Sequence, residues 1–214
     1  MIFKFISAIF ALLILGCHGN VNNTKSKKAT ISSIDTTVND YSKILTNREK
    51  RSIQKDTDSL GELITTISFN VSTDNRKDFE DGIIPGASIE NPEKDMPRLI
   101  DKYKIIIPES RISIIIDYPL TNEYIFDLRS KNGFTRKQLL NEISKSYYRI
   151  YDEEEKSATI KTIPINKRTK MYNRNETNGK YGIWGHDIAD LVLVEILVYK
   201  TANGQIVLSL NIES

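Results

Sequence analysis

The sequence predicts a single α+β domain: a mainly antiparallel sheet with one principal amphipathic helix packed on it and a C-terminal β-hairpin. Three observations predict it. Two runs of alternating apolar residues flank a turn within residues 111–128, a capping box opens a helical stripe over residues 135–152, and residues 190–212 read as a hairpin.

Residues 41–60 are charged with scattered apolar positions (Ile44, Leu45, Ile53, Leu60), the pattern of one short helix. From residue 62 to 72, Leu63, Thr65, Ile67, Phe69 and Val71 alternate with their neighbours, the period-two signature of a half-buried strand. Residues 73–98 are polar and carry Gly82, Pro85, Gly86, Pro92 and Pro97, the composition of a long loop. Ile105 to Ile107 is a short apolar run stopped by Pro108. Ile112, Ile114, Ile116 and Tyr118 share one strand face, Pro119 to Asn122 make a turn, and Tyr124, Phe126 and Leu128 alternate after it. These two strands are expected to pair as a hairpin.

The helix comes next. Thr135 and Gln138 have the spacing of a reciprocal cap for the first free backbone N–H groups. Leu139, Leu140, Ile143, Tyr147, Ile150 and Tyr151 then form one stripe. Glu153, Glu154 and Glu155 oppose the negative end of the helix dipole, so the helix is expected to end near Asp152. Residues 157–163 read as a strand and 166–179 as a basic loop. Residues 190–199 are β-branched and apolar on both faces, as in a central covered strand. Asn203-Gly204 signals a two-residue turn, and Ile206, Leu208, Leu210 and Ile212 alternate beyond it.

Composition bounds function mainly by exclusion. A hydrophobic share of 39% and a charged share of 27% are those of a globular protein. The net charge of +2 is too small to argue for nucleic acid. The single cysteine, Cys17, leaves the body without an intrachain disulfide, a cysteine metal site or a thiol nucleophile. The sequence contains no nucleophile elbow, zinc-protease helix, Walker loop or dinucleotide fingerprint. With His18 and His186 the only histidines, a three-histidine zinc site is excluded. No cofactor is implied.

The N-terminus has the three parts of a secretory signal: Lys4, an apolar run over residues 5–15, and the small residue Gly16 before Cys17. The run is short of the roughly 20 residues a membrane-spanning helix needs. Ile14-Leu15-Gly16-Cys17 resembles the lipobox of bacterial lipoproteins. The resemblance covers residues 1–17. It implies a diacylglycerol on the Cys17 sulfur, cleavage before Cys17, acylation of the new amine and anchoring to a membrane of the cell envelope. Acidic residues that retain lipoproteins at the inner membrane of enteric bacteria do not follow Cys17, which points to the outer membrane. Two or three acyl chains anchor stably. The expected organisation is a signal peptide at 1–16, a lipidated polar tether at 17–40 and one domain at 41–214. Lys25, Lys27 and Lys28 of the tether fit either a solvated leader or contact with anionic headgroups.

One segment stands out in the body. Residues 181–190 hold Tyr181, Gly182, Trp184, Gly185, His186, Asp187 and Asp190, including the only tryptophan and the only histidine of the body, directly before the most apolar strand. Both glycines allow a tight turn or a close approach. Tyr181 and Trp184 offer flat faces with a polar tip, suited to sugars, peptides or proteins. His186, with Asp187 or Asp190 to orient it, has the makings of an acid–base pair. The plainer alternative makes Trp184 a core anchor, the histidine a hydrogen-bonded loop residue, and Asp187 the cap of a short turn. Lys161, Lys167, Arg168, Lys170, Arg174 and Lys180, interleaved with Tyr172, fit either an anion-binding patch or a solvated loop balanced by residues 153–155.

Three functions remain open: a lipid-anchored module binding a protein, peptide or glycan of the envelope; an envelope hydrolase using His186 with Asp187 or Asp190; and a structural envelope component. The missing catalytic motifs and the aromatic segment favour the first.

Overall fold

The computed structural model describes residues 32–53, 58–168 and 174–214. The leader, Cys17, the three tether lysines, Lys170 and Tyr172 lie outside the described residues. The chain divides into two compact units, Met1–Tyr41 and Ser42–Ser214.

Helix α1 (Ser32–Ile53) is followed by a 3-10 turn (Asp58–Leu60) and strand β1 (Glu62–Ser68). Its backbone is thus helical from within the stretch expected to be tether. Short elements follow: β2 (Val71–Ser72), β3 (Ile83–Ile84), β4 (Ala87–Ser88) and α2 (Pro92–Asp95), with a 3-10 turn at Met96–Arg98. The expected long loop therefore contains a small hairpin, a strand and a helical turn. Next come β5 (Ile105–Ile107), β6 (Arg111–Ile116), β7 (Tyr124–Arg129), β8 (Phe134–Thr135) and α3 (Arg136–Ser157). Two 3-10 turns (Ile165–Lys167 and Ile188–Asp190) precede β9 (Val192–Lys200) and β10 (Ile206–Glu213).

The main sheet has the order β1-β9-β10-β6-β7, with β4 also paired to β9. The expected β6–β7 and β9–β10 hairpins both form. One pairing is parallel, β10 with β6, where Leu208 stands opposite Ile114. The sheet is thus mixed and mostly antiparallel, in an α+β fold. Its register aligns Thr65, Val198, Leu208, Ile114 and Phe126 across five strands. Because strand side chains alternate, these point to one face. The core joins Val198, Leu208 and Ile114 of that face to Leu139, Leu140, Ile143, Tyr147 and Ile150 of α3, all of them buried.

The α3 capping box forms as expected: Thr135 Oγ1 accepts from the Gln138 amide at 3.3 Å and Gln138 Oε1 from the Thr135 amide at 2.9 Å. The other end differs from expectation. The helix continues through the three glutamates to Ser157, because partners outside its backbone hold two of their charges. Glu153 pairs with Arg149 and Lys180, each at 2.7 Å, and Glu154 is taken up by backbone amides described below. The strand expected over residues 157–163 is absent. Asn178 Oδ1 accepts from the amides of Thr159 and Ile160, and Asn175 Oδ1 from that of Ile163. Side chains thus fill the donors that a neighbouring strand would have used. The β9–β10 turn holds three residues rather than two. The Gly204 amide donates to the Thr201 carbonyl, the Thr201 amide to the Gln205 carbonyl, and Gly204 sits at φ 83°. That is a turn closed by a glycine bulge.

Candidate functional site

Residues 181–190 are threaded between two loops. On one side, Leu120 forms a bridge with Ile183, and the Trp184 amide donates to the Pro119 carbonyl at 3.2 Å. On the other, the Thr177 and Arg174 amides donate to the carbonyls of Ile183 and Gly185. Gly182 and Gly185 both have positive φ, 64° and 70°. At Gly182 a Cβ would lie 2.9 Å from Thr121 Cβ, so the closeness of the strands requires glycine there.

Two ionic devices hold this segment. The first is Glu154, fully buried at the end of α3. Its carboxylate accepts from the amides of Gly179 (2.8 Å), Tyr181 (2.7 Å) and Gly182 (3.1 Å). Burial alone would raise its pKa. The Thr177 hydroxyl and the three amides outweigh burial and hold it below the usual range. The second is Asp187, whose carboxylate receives both Nη atoms of Arg168, at 2.5 and 3.1 Å, and lies 3.6 Å from Arg174 Nε. Both arginine side chains are buried. Burial pushes the Arg174 guanidinium down from the usual arginine range, and the charge of Asp187 opposes this.

These contacts revise the sequence-based site residue by residue. Tyr181 and Trp184 are only 3% and 4% exposed, so neither offers an open face. Instead Tyr181 donates its hydroxyl to Glu153 at 2.7 Å. Asp187 serves the two arginines. Asp190 accepts from the Asp187 amide at 2.8 Å, closing the 3-10 turn. Neither aspartate is the partner of the imidazole. His186 Nε2 lies 2.7 Å from Oε1 of Glu49, on α1, and the His186 carbonyl accepts the Tyr151 hydroxyl at 2.9 Å. In the basic stretch, Arg168 and Arg174 are structural cations and Lys180 pairs with Glu153.

What the segment does assemble is an aromatic group under α1. Tyr118 stands edge-on to Trp184, with centroids 5.3 Å apart, and tilted against His186 at 5.5 Å. The Tyr118 hydroxyl donates to the Glu49 carboxylate at 3.0 Å and lies 2.8 Å from Ser214 Oγ. Burial first, then the charge of Glu49, raises the Tyr118 hydroxyl above the usual tyrosine range, which keeps it a proton donor. From α1, Leu45 is buried, and the added Cβ of a residue at 185 would come within 3.3 Å of Leu45 Cδ2. One turn on, the Arg48 guanidinium lies 5.7 Å above the Trp184 ring and 2.7 Å from Glu176. Beside this contact is a cleft of about 360 Å³ lined by Arg48, Arg51, Ser52, Asp117, Leu120, Thr121 and Trp184.

The carboxylate–imidazole distance suits an oriented base, and the neighbouring hydroxyls belong to Tyr118 and Ser214. Among the described residues, no group of three or more His, Cys, Asp or Glu is placed to hold a metal ion. No helix among them is long and apolar enough to cross a membrane.

Sequence reading missed Glu49, Tyr118, Arg48 and Glu154 as parts of this site. For Glu154 a signal exists. It continues the spacing of Ile143, Tyr147 and Ile150, so a carboxylate occupies the buried stripe and must be paired there. Glu49 carries no such mark, since its partners are far away in sequence. Comparison with protein-family models, curated proteins and solved structures finds no match for this chain.

Proposed function

We propose that this chain is a bacterial envelope lipoprotein, anchored through a lipid on Cys17, whose folded domain is a binding module for a protein partner. The lipobox-like run ending at Cys17 supports the anchor. The observation that carries the binding role is the rigid floor of one cleft. Its floor, Trp184 and Leu120, is tied by the Leu120–Ile183 bridge and by the Trp184 amide on the Pro119 carbonyl, and Arg48, Arg51 and Ser52 of α1 lie along its rim. A fixed floor beneath a polar rim suits recognition, because little ordering entropy is lost at the floor on binding.

The test has two arms in the native host. Cys17→Ser should abolish incorporation of a palmitate analogue and release the protein from the membrane fraction. A photo-crosslinking residue at Thr121, in the cleft, should trap one reproducible adduct that the same residue at Ser113, away from the cleft, does not. Retained label in the serine variant sinks the anchor, and identical adducts at both positions sink the cleft.

A further inference from the structure

We infer that the C-terminal half of α1 is a separable strap occupying an interaction surface, and that this surface fits an amphipathic helix of a partner protein. The inference rests on the binding-module reading above and names the kind of partner that this surface takes.

Over residues 42–52, α1 meets the body along one stripe. Between Tyr41 and Ser52 the only buried side chain is Leu45, and Ile44 beside it is half exposed. The other described contacts of α1 include Arg48 on Glu176 and over the Trp184 ring, and Glu49 on His186 and Tyr118. Leu45, Arg48, Glu49 and Ser52 follow the i, i+3, i+4, i+7 spacing of a helix laid in a groove. A helix segment with one buried apolar side chain, whose Arg48 and Glu49 stay partly exposed, is drawn from the low-stability end of a fold.

The occupant also fits its seat imperfectly. Arg48 Nη1 is buried without a hydrogen-bond partner among the described residues, and a buried donor left unmet is costly. The cleft beside Ser52 and Trp184 is space that the strap's small and long polar side chains do not fill. A partner helix with an apolar residue at the Leu45 position, an acid at the Glu49 position and a bulky apolar residue at the Ser52 position would satisfy His186 and Tyr118 equally and fill the cleft as well. The strap's advantage is its high effective concentration, being tethered in the same chain. Beneath it the seat is otherwise complete: Tyr118, Trp184 and His186 contact one another without help from α1.

The test uses the full-length protein in detergent and a synthetic peptide of residues 42–53. Trp184 is the only tryptophan, so its emission reports the seat alone. The double variant Leu45→Glu, Glu49→Lys changes only the strap. It should keep cooperative unfolding of the body and shift Trp184 emission to the red. The peptide should reverse that shift and bind the variant at least about tenfold more tightly than the parent, where the tethered strap competes. A peptide with Glu at the Leu45 position should not bind. Loss of cooperative unfolding in the variant would overturn the inference by making α1 part of the core. So would unchanged emission, or a peptide that fails to bind the variant. A peptide that binds, with no specific adduct trapped at Thr121 in cells, would uphold the strap and remove the binding-module reading instead.

Discussion

Two glutamates reach the same segment from two helices, and their settings are opposites. Glu154 is fully buried at the end of α3 and accepts from three amides of one loop, those of Gly179, Tyr181 and Gly182. Glu49, on α1, keeps about a third of its side chain exposed (35%) and meets one imidazole and one phenol. Glu154 is out of reach of water, whereas water can replace part of what the more exposed Glu49 supplies. The first is a permanent fixture of the fold and the second a fastening. Burial of the carboxylate itself, more than the number of bonds, separates the two cases.

The largest effect is therefore expected at Glu154. Glu154→Leu strands three amides, and should lower the unfolding free energy by about 3–5 kcal/mol, the range for uncompensated buried polar groups. Glu154→Gln, which keeps one acceptor oxygen, should cost less. Denaturant unfolding measures both. The same carboxylate has a pH signature. Its folded-state pKa is depressed below the ordinary 4.5, so its contribution is present above that value and is lost as pH falls through the folded value. As pH falls below the ordinary 4.5, stability of the parent should fall more steeply than that of Glu154→Gln. Equal slopes would mean that Glu154 is not the acid-sensitive group.

Asp187 tests the middle of the range. Asp187→Ala leaves the buried guanidinium groups of Arg168 and Arg174 without their shared carboxylate. Breaking a buried pair costs about 3–5 kcal/mol, and partial exposure of Asp187 reduces this to about 2–3 kcal/mol. Asp187→Asn should recover part of the loss by keeping an acceptor. A loss below about 0.5 kcal/mol would show that the arginines are hydrated instead.

The contrast also explains what was legible in the sequence. Local patterns were readable where a residue's partner lies within a turn or two, as for the Thr135–Gln138 cap and the alternation of Ile112, Ile114 and Ile116. The C-terminal hairpin was readable for the same reason, although Gly204 turned out to close a three-residue loop. The parallel pairing of β10 with β6 was not, because nothing in either strand names a neighbour about a hundred residues away in sequence. At the site, residue types in 181–190 singled out the segment but not the partners of its side chains. Adjacent Asp187 and Asp190 suggested an acid–base pair, while the arginines that claim Asp187 and the glutamate that claims His186 come from other segments. Tyr181 and Trp184 looked like binding faces because composition does not reveal burial.

The smallest effect is expected at Glu49, and it decides whether the comparison holds. Glu49→Gln keeps the length of the side chain and a hydrogen-bonding oxygen but removes the charge. The pair is partly exposed, so the global cost should stay within about 1 kcal/mol. The local effect should be larger in kind. Trp184 emission and protease cleavage within residues 42–53 should both change, because the contacts of α1 with His186 and Tyr118 weaken while those of Glu154 do not. In Glu154→Gln the order should reverse, with a clear loss of global stability and no selective cleavage of α1. If instead Glu49→Gln costs as much as Glu154→Leu and cleavage appears only with global unfolding, α1 belongs to the cooperative core. The difference in exposure between the two carboxylates would then carry no difference in role.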